Sequence, residues 1–189
     1  MDIGKYSLLL SSAILYAALL CFPHDSRAQT IDFNIYAEDN LPASQISDLE
    51  FGDIISGQGA IQVNLGEPGM AVISIAGNPE LDVIVTVDAP LNLTHAGSSS
   101  DVIPLTLNWA YANRNRNDIS DAVIVSGNSA RFQLFGRSSG PAGPPPTPHR
   151  SDGAVQDATA YLFFFGALDV DDIDGGSYTG TIYVSVEYD

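Results

Sequence analysis

Apolar residues return at every second position along most of the chain, and nowhere do they hold a helical period for three turns. Successive side chains of an extended backbone point to opposite faces, so this period lays an apolar row on one face of a strand. Ile31, Phe33, Ile35 and Ala37 alternate with Thr30, Asp32, Asn34 and Tyr36. Further rows are Ile61, Val63 and Leu65; Ala71, Ile73 and Ile75; Leu81, Val83, Val85 and Val87; and Leu105, Leu107, Trp109 and Tyr111. Shorter strands are expected at 122–125 and 131–135. Residues 160–168 are almost unbroken apolar and read as a strand buried on both faces. The last run, 178–188, places Ile182, Val184, Val186 and Tyr188 on one side and Thr181, Tyr183, Ser185 and Glu187 on the other. Clusters of Gly, Pro, Asn, Asp and Ser between the runs supply turns. Only residues 44–49 suggest a single helical turn. Many short strands without helical units between them predict an all-β antiparallel sandwich of about eight to ten strands.

Residues 1–28 follow a different logic. Lys5 precedes an apolar run, "YSLLLSSAILYAALLCF", and then "PHDSRA" with small residues at Ser26 and Ala28. That layout predicts a secretory signal peptide cleaved after Ala28, too short in its apolar part for a membrane span. Residues 29–189 then form one domain, exported and without membrane insertion. Cys21 is the only cysteine and falls in the leader, so no disulfide, thiolate metal site or cysteine nucleophile is expected in the remainder. Residues 138–156, "SSGPAGPPPTPHRSDGAVQ", are too rich in proline and glycine for a ladder and read as a loop.

Charge narrows the partners. Residues 29–189 keep five arginines, no lysine and 21 acidic residues, which leaves the net charge at −16. Such a surface repels nucleic acid and anionic membranes.

No constellation for catalysis stands out. His95 and His149 both fall in loop-like sequence, and no nucleophile elbow, phosphate loop, dinucleotide fingerprint or HExxH helix occurs. No catalytic residue, cofactor or firm metal site is therefore assigned. Asp169, Asp171, Asp172 and Asp174 in "LDVDDIDGG" are weak calcium candidates, because Ile173 stands where an EF-hand loop needs its third ligand. Trp109 shares a face with Leu105 and Leu107 and is expected in the core, whereas Tyr36, Tyr178 and Tyr183 are expected at the surface.

The two termini carry a resemblance. The alternating last strand, the penultimate Tyr188 and Gly176, fourteenth from the end, resemble the C-terminal signature of chaperone–usher pilus subunits. That resemblance implies an incomplete immunoglobulin-like sandwich whose missing strand is donated by a periplasmic chaperone and then by the next subunit. Ile31, Phe33, Ile35 and Ala37 would be the donor side chains, and Gly176, Ile182, Val184, Val186 and Tyr188 the pairing strand. The same N-terminal segment equally suits the first strand of its own sandwich. Residues 49–87 and 175–189 are also similar to a bacterial secreted family known as domain of unknown function 4402, some members of which are linked to fimbrial subunits. The expected role is a secreted, non-enzymatic surface or fimbria-associated protein that pairs with itself by strand exchange. A self-contained binding module for carbohydrate or calcium is the alternative.

Overall fold

The computed structural model describes residues 29–79, 81–135 and 157–189. The expected leader, His149 and the proline-rich stretch 138–156 lie outside them. Eleven strands form: β1 (Gln29–Ala37), β2 (Ala43–Ser47), β3 (Gly59–Val63), β4 (Ala71–Gly77), β5 (Asp82–Asp88), β6 (Asn92–His95), β7 (Ser98–Ala112), β8 (Val123–Ile124), β9 (Ser129–Gln133), β10 (Ala158–Val170) and β11 (Tyr178–Tyr188). One 3₁₀ turn at Ile119–Asp121 is the only helical element among the described residues. No described helix is long and apolar enough to cross a membrane.

The expected all-β sandwich is what forms. One sheet runs β2-β4-β10-β7, with β3 beside β10 and β8 beside β7. The other runs β9-β5-β11-β1, with β6 beside β11 and the first half of β7. Strand β7 changes sheets: its residues opposite β6 end near Pro104, and those from Leu105 onward pair with β10. Pro104 has no N–H to give a ladder, so a crossing point suits it. Two strands were not legible as such. Residues 44–49 do not make a helical turn, because residues 43–47 pair with β4 as β2. The short β6 pairs with both β7 and β11.

This order has an immunoglobulin-like logic. That fold stacks a sheet of strands A-B-E-D on one of C-F-G. Taking chain order from β2, strands β2, β4, β10 and β7 fall at A, B, E and D, and β5 and β11 at C and F. The place of G, on the edge of β11 away from β5, is taken by β1. It runs parallel to β11 over nine residues, from Gln29 opposite Tyr178 to Ala37 opposite Val186. All the other pairings are antiparallel.

The core is aliphatic with an aromatic spine. Val83, Val85, Ile182, Val184 and Val186 of one sheet meet Ile73, Ile75, Leu162, Phe164 and Leu168 of the other, all buried. Phe164 lies 5.0 Å from the Phe33 ring and 6.3 Å from Trp109. Trp109 is buried as expected, and its indole N–H donates to the Gly127 carbonyl at 2.9 Å. A second apolar layer covers the outside of the β4-β10-β7 sheet, where Phe163, Val72, Ala110 and Ala112 are buried beneath Leu65, Met70 and Ala122. That is why β10 is apolar on both faces. Gly166 sits where β10 passes from β4, paired through Phe164, to β3, paired from Gly166 itself. A side chain there would meet the Thr106 carbonyl oxygen at 2.1 Å.

Among the described residues, buried charge is confined to one loop. Asp121 accepts from Arg114 at 2.5 Å and also from Arg116. Asp118 caps the 3₁₀ turn, accepting from the Ser120 N–H at 2.9 Å and from its hydroxyl at 2.6 Å. These bonds, the hydroxyl's first, hold the Asp118 carboxyl below its ordinary pKa. A depressed folded value adds stability that is complete above the unfolded carboxylate pKa and is lost as pH falls through the folded one. Asp121→Ala strips two guanidinium groups of their shared partner. It is expected to cost about 1–3 kcal/mol, read as a fall in chemical-denaturation midpoint at neutral pH. An unchanged midpoint would show that water replaces the carboxylate without loss.

Candidate functional site at the β1–β11 seam

The site is built from the two terminal strands that the alternation singled out. On β1, odd-numbered residues face inward. Ile31 is buried, and Phe33 and Ile35 pack against the core. Opposite them on β11 stand Gly180, Ile182 and Val184. Ala37 departs from expectation: it pairs with Val186 but is exposed, so three side chains and not four plug the groove. Strand β1 has β11 as its only ladder partner among the described residues. The Gln29 side-chain amide also donates to the Gly52 carbonyl at 3.1 Å.

The link from β1 to β2 is short and clamped by the end of β11. Leu41 N–H donates to the Glu38 carbonyl at 2.9 Å and Glu38 N–H to the Val186 carbonyl at 3.3 Å. The Tyr188 hydroxyl accepts from the Asn78 N–H at 2.8 Å and donates to the Asn40 carbonyl at 3.4 Å. So the penultimate tyrosine ties the β1–β2 link to the start of the β4–β5 turn. Asp189 is held too, by Arg131 at 2.5 Å, and Arg131 also bridges to Asp82 at 2.8 Å.

Gly176 has a local reason to be glycine. It precedes β11 at φ +151°, and a Cβ there would lie 2.1 Å from His95 Nε2. The imidazole is held by backbone. Nδ1 accepts from Gly97 N–H at 3.1 Å, so Nε2 carries the proton, 3.3 Å from the Gly175 carbonyl. Its ring packs 5.1 Å from Tyr178. Tyr178 was expected at the surface but is buried, and its hydroxyl donates to Asp101. With both nitrogens turned to main chain, His95 addresses no nucleophile.

The aspartate-rich turn does not gather into a site. The Ser56 hydroxyl donates to Asp172 at 3.0 Å, while the Asp174 N–H donates to Asp101 at 3.1 Å. Among the described residues no group of three or more His, Cys, Asp or Glu side chains converges as a metal would require. Asp169, Asp171, Asp172 and Asp174 are thus near in sequence without sharing one centre. The tyrosine pair Tyr36 and Tyr183 is brought together on the outer face of the seam, with ring centroids 6.2 Å apart. Alternation put both outward, but only the strand register could make them neighbours.

Comparison with known proteins adds little. No family model and no curated protein matches the chain. Among solved structures it is similar to CfaE, the adhesive subunit of the CFA/I fimbria of enterotoxigenic Escherichia coli, at 9% identity and a TM-score of 0.35. The match covers 89% of this chain and 46% of that one, so this chain spans less than half the length of its structural neighbour. The immunoglobulin-like assignment rests on the strand order above.

Proposed function

We propose that this is a secreted, non-enzymatic structural protein of the bacterial surface, pilin-like or fimbria-associated, which joins to further copies by donating β1. One observation carries the reading. The last position of an immunoglobulin-like sheet is filled by β1, in parallel, and β1 has no second ladder partner among the described residues. A parallel ladder is slightly weaker per residue than an antiparallel one. A strand held that way, on a short link, suits exchange with a second groove of the same shape. The expected leader would deliver the protein to the periplasm, where a chaperone would keep β11 paired until assembly.

The test is assembly. A chain lacking residues 29–38 should aggregate without forming ordered oligomers, and a synthetic peptide of those residues should restore a folded, capped monomer. If the truncated chain is a stable monomer unaided, β1 is neither closure nor joint.

A further inference from the structure

The outward side of the β1–β11 seam bears a surface that strand donation does not use. Asn34 lies opposite Tyr183 and Tyr36 opposite Ser185, which sets the two tyrosines on a diagonal of one face. Their ring planes differ by 12°. A diagonal aromatic pair adds to sheet stability, yet this one stays largely in water, Tyr36 60% and Tyr183 43% exposed. At a centroid separation of 6.2 Å the two rings leave much of their apolar surface to solvent.

The border of that surface is specific. Tyr183 is flanked across the sheet by Asn34 on β1 and by Asp88 on β5. The Tyr36 row continues through Ser185 to Thr86, and the neighbouring row holds Asp32 and Thr181. No base stands among them. The three described arginines are engaged elsewhere, Arg114 and Arg116 with Asp121, and Arg131 with Asp82 and Asp189. The rim therefore offers carboxylate and amide oxygens and hydroxyls around an apolar centre.

Three ligand classes can be weighed against it. Anionic ligands meet like charge. A small cation would be drawn to Asp32 and Asp88 more than to the exposed rings, where contact with a ring face is worth little. A neutral sugar ring has a face of C–H groups to lay on an aromatic ring and a rim of hydroxyl donors for the surrounding oxygens. Tyrosine supplies such rigid, amphipathic contact at low entropic cost. We propose that Tyr36 and Tyr183, bordered by Asn34 and Asp88, form a surface site for a neutral saccharide.

Neutral oligosaccharides built from glucose, galactose, mannose and N-acetylglucosamine would be titrated into the intact protein, with amide chemical shifts of β1 and β11 as readout. At least one should bind, with its shifts centred on Tyr36 and Tyr183. Tyr36→Ala and Tyr183→Ala should each weaken it about tenfold or more, with the thermal midpoint lowered only by the loss of one cross-strand pair. The Phe variants should keep most of the affinity. The site is disproved if no saccharide binds at millimolar concentration, if binding survives both alanine changes, or if only tetramethylammonium or a lysine peptide binds. These residues point away from the groove that Ile31, Phe33 and Ile35 fill, so their loss leaves the assembly test untouched.

Discussion

A chain without residues 29–38 is expected to lose its cooperative unfolding transition and to aggregate. Ile31, Phe33 and Ile35 leave the space between the sheets. Full burial of such a side chain is worth about 1.5–3 kcal/mol, and Phe33 and Ile35, being half-buried, contribute less than Ile31. The edge of β11 then stands unpaired beside an open apolar groove, a ready template for another strand. Ordering nine residues has its own cost, about 1–2 kcal/mol each for the backbone, so the net loss is smaller than burial alone suggests. It is still set against a total stability of only about 5–15 kcal/mol. Peptide rescue should need high concentration, because a strand on a short tether has an effective concentration in the millimolar range. Circular dichroism melts with and without the peptide read the result. A melt unchanged by the deletion would mean that the two sheets hold together without their seventh position.

The second large effect is expected at Phe164. Its ring is fully buried and packs with Phe33 of β1 and with Trp109. Phe164→Ala should lower unfolding free energy by about 3–5 kcal/mol, the usual loss for a large aromatic that leaves a cavity. The more telling result lies in its coupling to β1. With the Phe164 ring gone, Phe33→Ala should cost much less than it does in the native protein, because residues in contact are not additive. Denaturant titrations of the two single variants and the double variant measure this. Full additivity would show that Phe33 is seated elsewhere.

The layout of the molecule was legible wherever one face was apolar. Strands β1, β4, β5 and β11 follow directly from alternation, and the unbroken run in β10 matches its burial on two sides. Strand β2 was hidden because "ASQIS" has small and polar side chains that give no apolar beat. What alternation cannot carry is the identity and direction of a partner. Nothing in "TIDFNIYA" says that β1 lies parallel to β11, or that β7 serves both sheets. The site residues divide in the same way. Tyr178 has the same parity as Ile182, so its burial was readable from the register of its own strand. Ala37 has the inward parity too, yet it is exposed at the end of β1. The clamp of Tyr188 on Asn40 and Asn78 depends on three distant segments meeting, as does the pairing of Tyr36 with Tyr183.

Locking β1 in place tests most directly whether this strand is both closure and joint. Asp32 and Thr181 are register partners on the outer face of the seam. Neighbouring strands lie about 4.8 Å apart, within the Cα span a disulfide bridges, and residues 29–189 hold no competing cysteine. Size-exclusion profiles of the Asp32→Cys/Thr181→Cys protein would be compared with and without reductant. The account predicts a folded monomer when oxidised and oligomers once the bond is reduced; the same profile in both conditions would contradict it.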